Sequence, residues 1–177
     1  RSWLKDLVFV IKLFTMLERG GLIKMLFRTH VVFALVVYFL LEHFLTMPFW
    51  VLCFILLGAI FVDIDIGNSR AGNRWYFRPL QWLTRHRGAL HSLLAGVFLS
   101  LLIGAFSLWG GFGFFVGYFS HLFLDCLTPQ GVRLFWPLKF RVKGFLKSGK
   151  VGEEIIFVLL LFVVIFFAYK MVFRHLF

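Results

Sequence analysis

The chain has 177 residues, of which 61% are hydrophobic and 20% aromatic, and its mean hydropathy is +0.91. A soluble domain of this size could not bury so much apolar surface, because typical globular chains are about half apolar. The composition excludes an ordinary soluble domain and predicts an all-α integral membrane protein. Only eight Asp and Glu stand against nineteen Lys and Arg. Each acid is informative, because ionisable groups at membrane depth are costly and usually functional.

The first 28 residues carry cations at regular intervals. Lys5, Lys12 and Arg19 recur every seven positions among apolar residues, which keeps the cations on one side of a helix. No apolar stretch in this segment reaches the roughly 20 residues that a spanning helix needs. We therefore predict an amphipathic interfacial arm over residues 1–28 and a membrane-embedded helical domain over residues 29–177. An additional membrane span is the alternative for the arm.

Five apolar stretches of the embedded domain are candidate membrane spans. They cover residues 30–45, 49–62, 89–109, 111–127 and 154–173. The first two are short for a hydrocarbon core about 30 Å thick. Met47-Pro48 and Gly110-Gly111 interrupt the apolar pattern and predict tight turns between neighbouring spans. The sequence thus predicts about five transmembrane helices.

Basic residues are distributed unevenly about these spans. Seventeen of the nineteen precede the first span or lie in segments 63–88 and 128–153, whereas Lys170 and Arg174 lie on the opposite face, near the C-terminus. By the positive-inside rule, the basic side faces the cytoplasm of a cell that holds the protein in its plasma or inner membrane. Topology and anionic headgroups account for the excess charge, so we expect membrane lipids as partners and no nucleic acid.

Seven residues that bind metals well lie at ends of the apolar stretches. A chain that crosses a membrane and returns brings alternate span ends to the same side, and these residues occupy alternate ends. We therefore expect them to gather in one polar site on the cytoplasmic face. They are His30, Asp63, Asp65, His86, His91, His121 and Asp125.

The clearest pair is His121 and Asp125, whose spacing of four places them on one helix face. Imidazole and carboxylate groups are standard ligands of zinc and other first-row divalent ions. Taken alone, the pair is equally consistent with a buried His–Asp hydrogen bond that joins two helices. Asp63 and Asp65 are also close in sequence and would repel unless a cation or amide groups neutralise them. The alternative for these aspartates is a helix cap or a solvated loop.

His86 and His91 lie at the entry of the third span, with Arg87 between them. The planar guanidinium of Arg87 is suited to holding a phosphate. Both histidines could instead be interfacial side chains with access to water. Together, four His and three Asp could bind two metal ions, and paired ions are a common solution for hydrolysing phosphoesters. Nitrogen and carboxylate ligands favour Zn²⁺, with Mn²⁺ or Fe²⁺ as alternatives, over Ca²⁺ and Mg²⁺.

Several motifs resemble one known family. They are Asp63-Ile64-Asp65 with Asn68-Ser69, the stretches 86–94 and 117–125, and the segments 127–132 and 134–138. Over residues 28–155 the chain resembles the YdjM-like family of inner-membrane metal-dependent hydrolases, which is distantly similar to zinc-dependent phospholipase C. The resemblance implies the same seven site residues and adds Thr128 and Glu153. The family often has His directly after the two aspartates, where this chain has Ile66, so two ions are a firmer expectation than three.

The functional prediction is a membrane-embedded hydrolase that acts on a lipid or lipid-linked phosphoester at the cytoplasmic face. Asp63 or Asp65 would accept the proton of the attacking water, Arg87 would hold the phosphate, and Thr128 would position the substrate. The main alternative is a metal-binding sensor or regulator without turnover. A third possibility is that the polar residues only join helices to one another.

Overall fold

The described part of the protein is built from five α-helices. The computed structural model describes residues 25–65, 89–147 and 150–176. Within these ranges the helices are α1 (Met25–Phe44), α2 (Val51–Phe61), α3 (Leu93–Gly104), α4 (Leu108–Cys126) and α5 (Val151–Leu176). Short 3-10 turns extend α2 over Val62–Asp65 and precede α3 over Ala89–His91. The described ranges contain no β-strand, only an isolated antiparallel bridge between Val132 and Val142. The all-α prediction is confirmed.

Each predicted span corresponds to one helix, but the helices differ in length. Phe27–Phe44 and Val151–Lys170 are long and apolar enough to cross a membrane. Val51–Ile64 and Leu93–Gly104 are shorter apolar helices. Length and composition therefore support a membrane crossing for α1 and α5. The predicted arm lies outside the described residues, except that 25–28 belong to α1.

The connection between α3 and α4 differs from the prediction. The hydroxyl of Ser107 accepts a hydrogen bond from the Gly110 amide at 3.1 Å, so Ser107 caps α4 and the helix begins at Leu108. The predicted turn at Gly110-Gly111 is therefore wrong, because both glycines lie inside α4. A Cβ at Gly111 would lie 2.6 Å from the Cα of Gly104. Glycine at this position permits close approach of α3 and α4.

Helices α2 and α4 meet backbone to backbone through glycines, which we call the glycine contact (Gly58, Gly113 and Gly117). A Cβ at Gly117 would lie 2.6 Å from the carbonyl carbon of Ile55, and one at Gly58 would lie 2.9 Å from the amide nitrogen of Tyr118. Small residues allow such approach between helices in membranes. The contact places the C-terminal end of α2 beside the last turns of α4.

Helix α5 packs on α1 and presents most of its other side outward. Phe39 and Phe167 stack with centroids 6.4 Å apart, and Val164 is buried in the same cluster. Other apolar residues of α5, among them Phe162 and Ile165, are exposed. A large exposed apolar face is unfavourable in water. It suits a helix that faces lipid.

A second apolar cluster lies at the end of the bundle where α2 finishes. It consists of Val62, Phe114, Tyr118 and Leu122. The hydroxyl of Tyr118 donates to the carbonyl of Leu90, which attaches the segment before α3 to α4. This apolar cluster therefore packs beside the polar residues at the same end of the bundle.

Candidate metal centre

Five of the seven predicted residues converge at one end of the bundle. His30 lies in the second turn of α1, Asp63 in the 3-10 extension of α2, and His91 at the end of the turn before α3. His121 and Asp125 lie in the last turns of α4. Four are buried, and Asp63 is 18% exposed. The structure thus brings together alternate helix ends that are up to 95 residues apart in sequence.

The distances between these side chains are longer than ordinary hydrogen bonds and close to the spacing of ligands around one ion. Asp125 Oδ1 lies 3.8 Å from His30 Nε2, and Asp125 Oδ2 lies 3.7 Å from the Nε2 atoms of both His91 and His121. Asp63 Oδ1 is 3.6 Å from His121 Nε2. Hydrogen bonds of this type measure about 2.7–3.2 Å. Ligands of a tetrahedral zinc ion lie roughly 3.3–3.6 Å apart, so the observed spacing is closer to that of a shared ion.

The orientation of His121 also fits a metal ligand. Its Nδ1 lies 2.7 Å from the carbonyl oxygen of Ala59. A carbonyl can only accept, so Nδ1 carries the proton and the neutral ring has its lone pair on Nε2. That lone pair faces the carboxylates of Asp63 and Asp125. A cation among the three atoms would attract all of them, and a carbonyl behind the ring is a typical partner of metal-binding histidine.

Two overlapping groups of residues could hold ions. One is His30, His121 and Asp125, and the other is Asp63, His91 and His121, with ligand atoms within 4.8 Å of one another in each group. His121 has one available lone pair and can bind one ion only. Asp125 directs its two oxygens at different histidines, as a bridging carboxylate would. The nitrogen and oxygen donors suit Zn²⁺, Mn²⁺ or Fe²⁺.

Glu153 is buried at the start of α5 and is held by a residue that sequence reasoning missed. The hydroxyl of Thr29 donates to Glu153 Oε1 at 3.1 Å, and both side chains are buried. Thr29 immediately precedes His30, so the bond joins α5 to α1 beside the cluster. Neither described ligand group includes Glu153, whose role as a ligand stays a prediction. A polar residue next to His30 at the entry of an apolar stretch was the available signal for Thr29.

Thr128 lies just after the end of α4 and forms hydrogen bonds with main-chain groups. Its hydroxyl donates to the carbonyl of Asp125 at 2.8 Å, and its own carbonyl accepts from the Gly144 amide at 3.0 Å. The hydroxyl thus fixes the end of the helix that carries the ligands, and the predicted substrate-positioning role stays a prediction. The other predicted site groups, the side chain of Asp65 and residues His86 and Arg87, lie outside the described part of the chain.

Apolar helices whose ends share a buried His and Asp cluster define a helical membrane protein with a candidate metal centre. The chain belongs to the family described as YdjM inner membrane protein, which it matches over residues 25–176. It is 38% identical over 112 residues to Inner membrane protein YdjM of Escherichia coli (strain K12), in an alignment covering 56% of this chain and 56% of that protein. The protein of the same name from Shigella flexneri gives the same values.

The predicted resemblance to YdjM-like inner-membrane proteins is confirmed by these matches. The chain spans just over half the length of the curated relatives it matches, 56% in each case. Both relatives are named as inner membrane proteins, which supports an inner-membrane location for this chain. No solved structure matches it.

Proposed function

We propose that the protein is a membrane-embedded, metal-dependent hydrolase that cleaves a lipid or lipid-linked phosphoester at the cytoplasmic face. The observation that carries this proposal is the position of Asp125, whose two oxygens lie near different histidines in one buried cluster. Such a carboxylate can join two ions at a short distance. Paired metal ions about 3.5–4 Å apart are common in enzymes that hydrolyse phosphoesters.

We propose that the side chains of the cluster would be shared between two ions. Asp63, His91, His121 and one oxygen of Asp125 would hold the first. His30 and the other oxygen of Asp125 would hold the second, with Asp65 or Glu153 as candidates for a further ligand. Bound ions of this kind polarise a phosphoryl oxygen and lower the pKa of bound water.

Asp63 is the accessible carboxylate of the described cluster, and Asp125 is buried. We therefore propose Asp63 as the acceptor of the proton from the attacking water. Asp65 is the alternative acceptor, and Arg87 would hold the phosphate through its planar fork. In the sequence, Asp65 is two positions from Asp63 and Arg87 is four positions from His91, which supports assigning both to the same site.

The helix lengths support a substrate that already resides in the bilayer. Eleven residues of α2 span about 16 Å, roughly half of a hydrocarbon core about 30 Å thick. His30 is the sixth residue of α1, so about 7 Å of that helix extends beyond it. In a membrane that α1 crosses, the cluster would lie below the end of this helix, at a depth that a lipid headgroup can reach more readily than a freely soluble substrate.

The test combines metal content with turnover. Wild-type protein, His121→Ala and His43→Ala would be purified in detergent, and their metals quantified by mass spectrometry. We expect one or two first-row ions in the wild type and in His43→Ala, whose exposed imidazole lies at the other end of α1. His121→Ala should lose most of the metal. Release of phosphate or headgroup from a panel of phospholipids should follow the metal content, and metal-free wild-type protein would refute the proposal.

A metal sensor or regulator is the second candidate, because four of the five residues of the cluster are almost fully buried. His30, His91, His121 and Asp125 are each 4% exposed or less. Metal sites that serve structure or regulation have closed ligand sets, whereas catalytic sites keep a position open for water or substrate. Stoichiometric metal without turnover of any phosphoester in the panel would favour this candidate.

A further inference from the structure

The segment after α4 folds back on itself. It is fixed to the end of the bundle that carries the cluster of His and Asp residues. Val132 and Val142 exchange two backbone hydrogen bonds of 3.0 Å. Gly131, with a φ of 60°, lies just before this bridge, in the turn that follows α4. The amide of Leu146 donates to the carbonyl of Leu127 at 2.8 Å, close to the last turn of α4. We call residues 131–147 the hairpin.

The hairpin exposes apolar and cationic side chains in alternation. Phe140 is 66% exposed and Phe145 is 86% exposed. Lys139, Lys143 and Lys147 are exposed between and beside them. No Asp or Glu occurs between Asp125 and Glu153 in the sequence, so the positive charge of this segment is not balanced locally.

We propose that the hairpin is a docking surface for anionic phospholipid headgroups. Aromatic side chains would enter the interfacial region, and the lysine ammonium groups would remain among the phosphates. Lysine is suited to this position because its apolar stem can lie along the interface while its charged end stays hydrated. The exposed faces of α3 and α5 carry mainly apolar residues, which suits contact with acyl chains. The hairpin instead exposes both apolar and cationic residues, which suits contact with headgroups.

Nucleic acid also binds surfaces of cations and aromatic rings. The attachment of the hairpin to helix ends favours lipid over nucleic acid as its ligand. Both ends of the hairpin join helices of an inner-membrane protein, one after α4 and the other before α5. The carbonyl of Leu134 also accepts from the Leu93 amide at 2.8 Å, which holds the hairpin near the start of α3. A surface that is held at the ends of membrane helices lies close to lipid headgroups, which makes lipid a more accessible ligand than nucleic acid.

Docking would place anionic headgroups beside the metal cluster. Leu127 and Thr128, which bond to the base of the hairpin, directly follow the helix end that carries Asp125. The same contacts exist whether the cluster hydrolyses a lipid or only senses metal. The docking proposal therefore stands independently of the proposed hydrolase activity.

Spin labelling in nanodiscs tests the proposal. In a background of Cys53→Ala and Cys126→Ala, a nitroxide would be placed at Phe145→Cys, and separately at Phe106→Cys in the turn between α3 and α4. Relative accessibility to oxygen and to a water-soluble nickel complex reports the depth of each label. Nanodiscs of phosphatidylcholine alone would be compared with equal parts of phosphatidylcholine and phosphatidylglycerol.

We expect the label at position 145 to move toward the oxygen-accessible region in the anionic nanodiscs. Replacing Lys139, Lys143 and Lys147 by Gln should reverse this shift, while replacing them by Arg should preserve it. Each cation near an anionic membrane favours the docked state about fivefold. Loss of three cations in the Gln variant should therefore lower the ratio of docked to undocked hairpin roughly a hundredfold. The label at position 106 should not respond to these substitutions, because its turn lies between α3 and α4 and outside the hairpin.

Three results would overturn the proposal. The first is a label at position 145 that is equally exposed to the nickel complex in both lipid mixtures. The second is a label shielded from both reagents, which would show that protein covers the hairpin. The third is a shift produced by single-stranded DNA but not by phosphatidylglycerol. Because the readout is label depth, a lack of phosphoester turnover would leave the docking result unaffected.

Discussion

The position of Gly117 in the glycine contact leads to a direct test of how the cluster of His and Asp residues is held. In Gly117→Ala, the new Cβ would meet the backbone of Ile55, with its carbonyl carbon at 2.6 Å. This is about 0.8 Å short of ordinary van der Waals contact. Both sides of the contact are backbone, so no side-chain rotation can relieve it. Helices α2 and α4 must therefore separate.

The expected cost follows from two opposing effects. Alanine is favoured over glycine inside a helix by about 1 kcal/mol. Overpacking of a tight contact costs about 1–3 kcal/mol, and a weakened buried hydrogen bond adds about 1 kcal/mol. We expect Gly117→Ala to lower the free energy of unfolding by about 2 kcal/mol. The carbonyl oxygen of Ile55 lies even closer to the new Cβ than the carbonyl carbon does, so the helices must separate by at least about 0.8 Å. This separation would also lengthen the bond from His121 to Ala59 from 2.7 Å to about 3.5 Å or more, beyond normal hydrogen-bond range.

Denaturant titration of the purified protein in micelles would measure the stability, and mass spectrometry would measure the retained metal. Gly152→Ala is the matched control, because a Cβ at Gly152 meets nothing within 4 Å. The control should be as stable as the wild type or slightly more stable, with unchanged metal content. If Gly117→Ala is as stable as Gly152→Ala, the backbone contact does not hold the two helices as inferred.

Three further substitutions address other parts of the structure. Asp125→Asn should lose most of the bound metal by mass spectrometry, because the carboxylate oxygens face three histidines. Thr29→Val should lower the free energy of unfolding by about 1–3 kcal/mol in a denaturant titration, because it removes the buried bond to Glu153. Ser107→Ala should cost about 1 kcal/mol in the same titration through loss of the α4 cap, without changing metal content.

Matched controls accompany these substitutions. Glu154→Gln changes an exposed carboxylate of α5 and should leave the metal content unchanged. Thr46→Val changes an exposed threonine between α1 and α2 and should have little effect on stability. Full metal content in Asp125→Asn would contradict the proposed ligand set. Equal stability of Thr29→Val and Thr46→Val would remove the argument that α5 is fixed to α1 by a buried polar bond.

The convergence of the candidate ligands was predictable because it depends on topology. Apolar stretches that reverse direction at each turn place alternate ends together, whatever side chains pack between them. His30, Asp63, His91 and His121 met this expectation without any knowledge of helix packing. Among the described residues, two helices meet the length and composition of a membrane span, and α2 and α3 are shorter than the apolar stretches suggested.

Other features depend on tertiary packing and leave little trace in the sequence. The Ala59 carbonyl that orients His121 belongs to the main chain, so no residue type signals it. The bond between Thr29 and Glu153 joins residues 124 positions apart and requires that α5 pack on α1. The sequence alone predicts a turn at Gly111 because glycine is common both in turns and in close helix contacts, and only the neighbouring helix distinguishes the two roles.

The backbone partner of His121 has a consequence for experiment. No substitution at Ala59 can delete a carbonyl, so the protonated nitrogen of the ring is determined by where α2 lies relative to α4. The nitrogen chemical shifts of the His121 imidazole distinguish its two tautomers. The nitrogen chemical shifts of this one ring can therefore report the position of α2 relative to α4. They can be measured in metal-free protein and in any lipid, without an assay of activity.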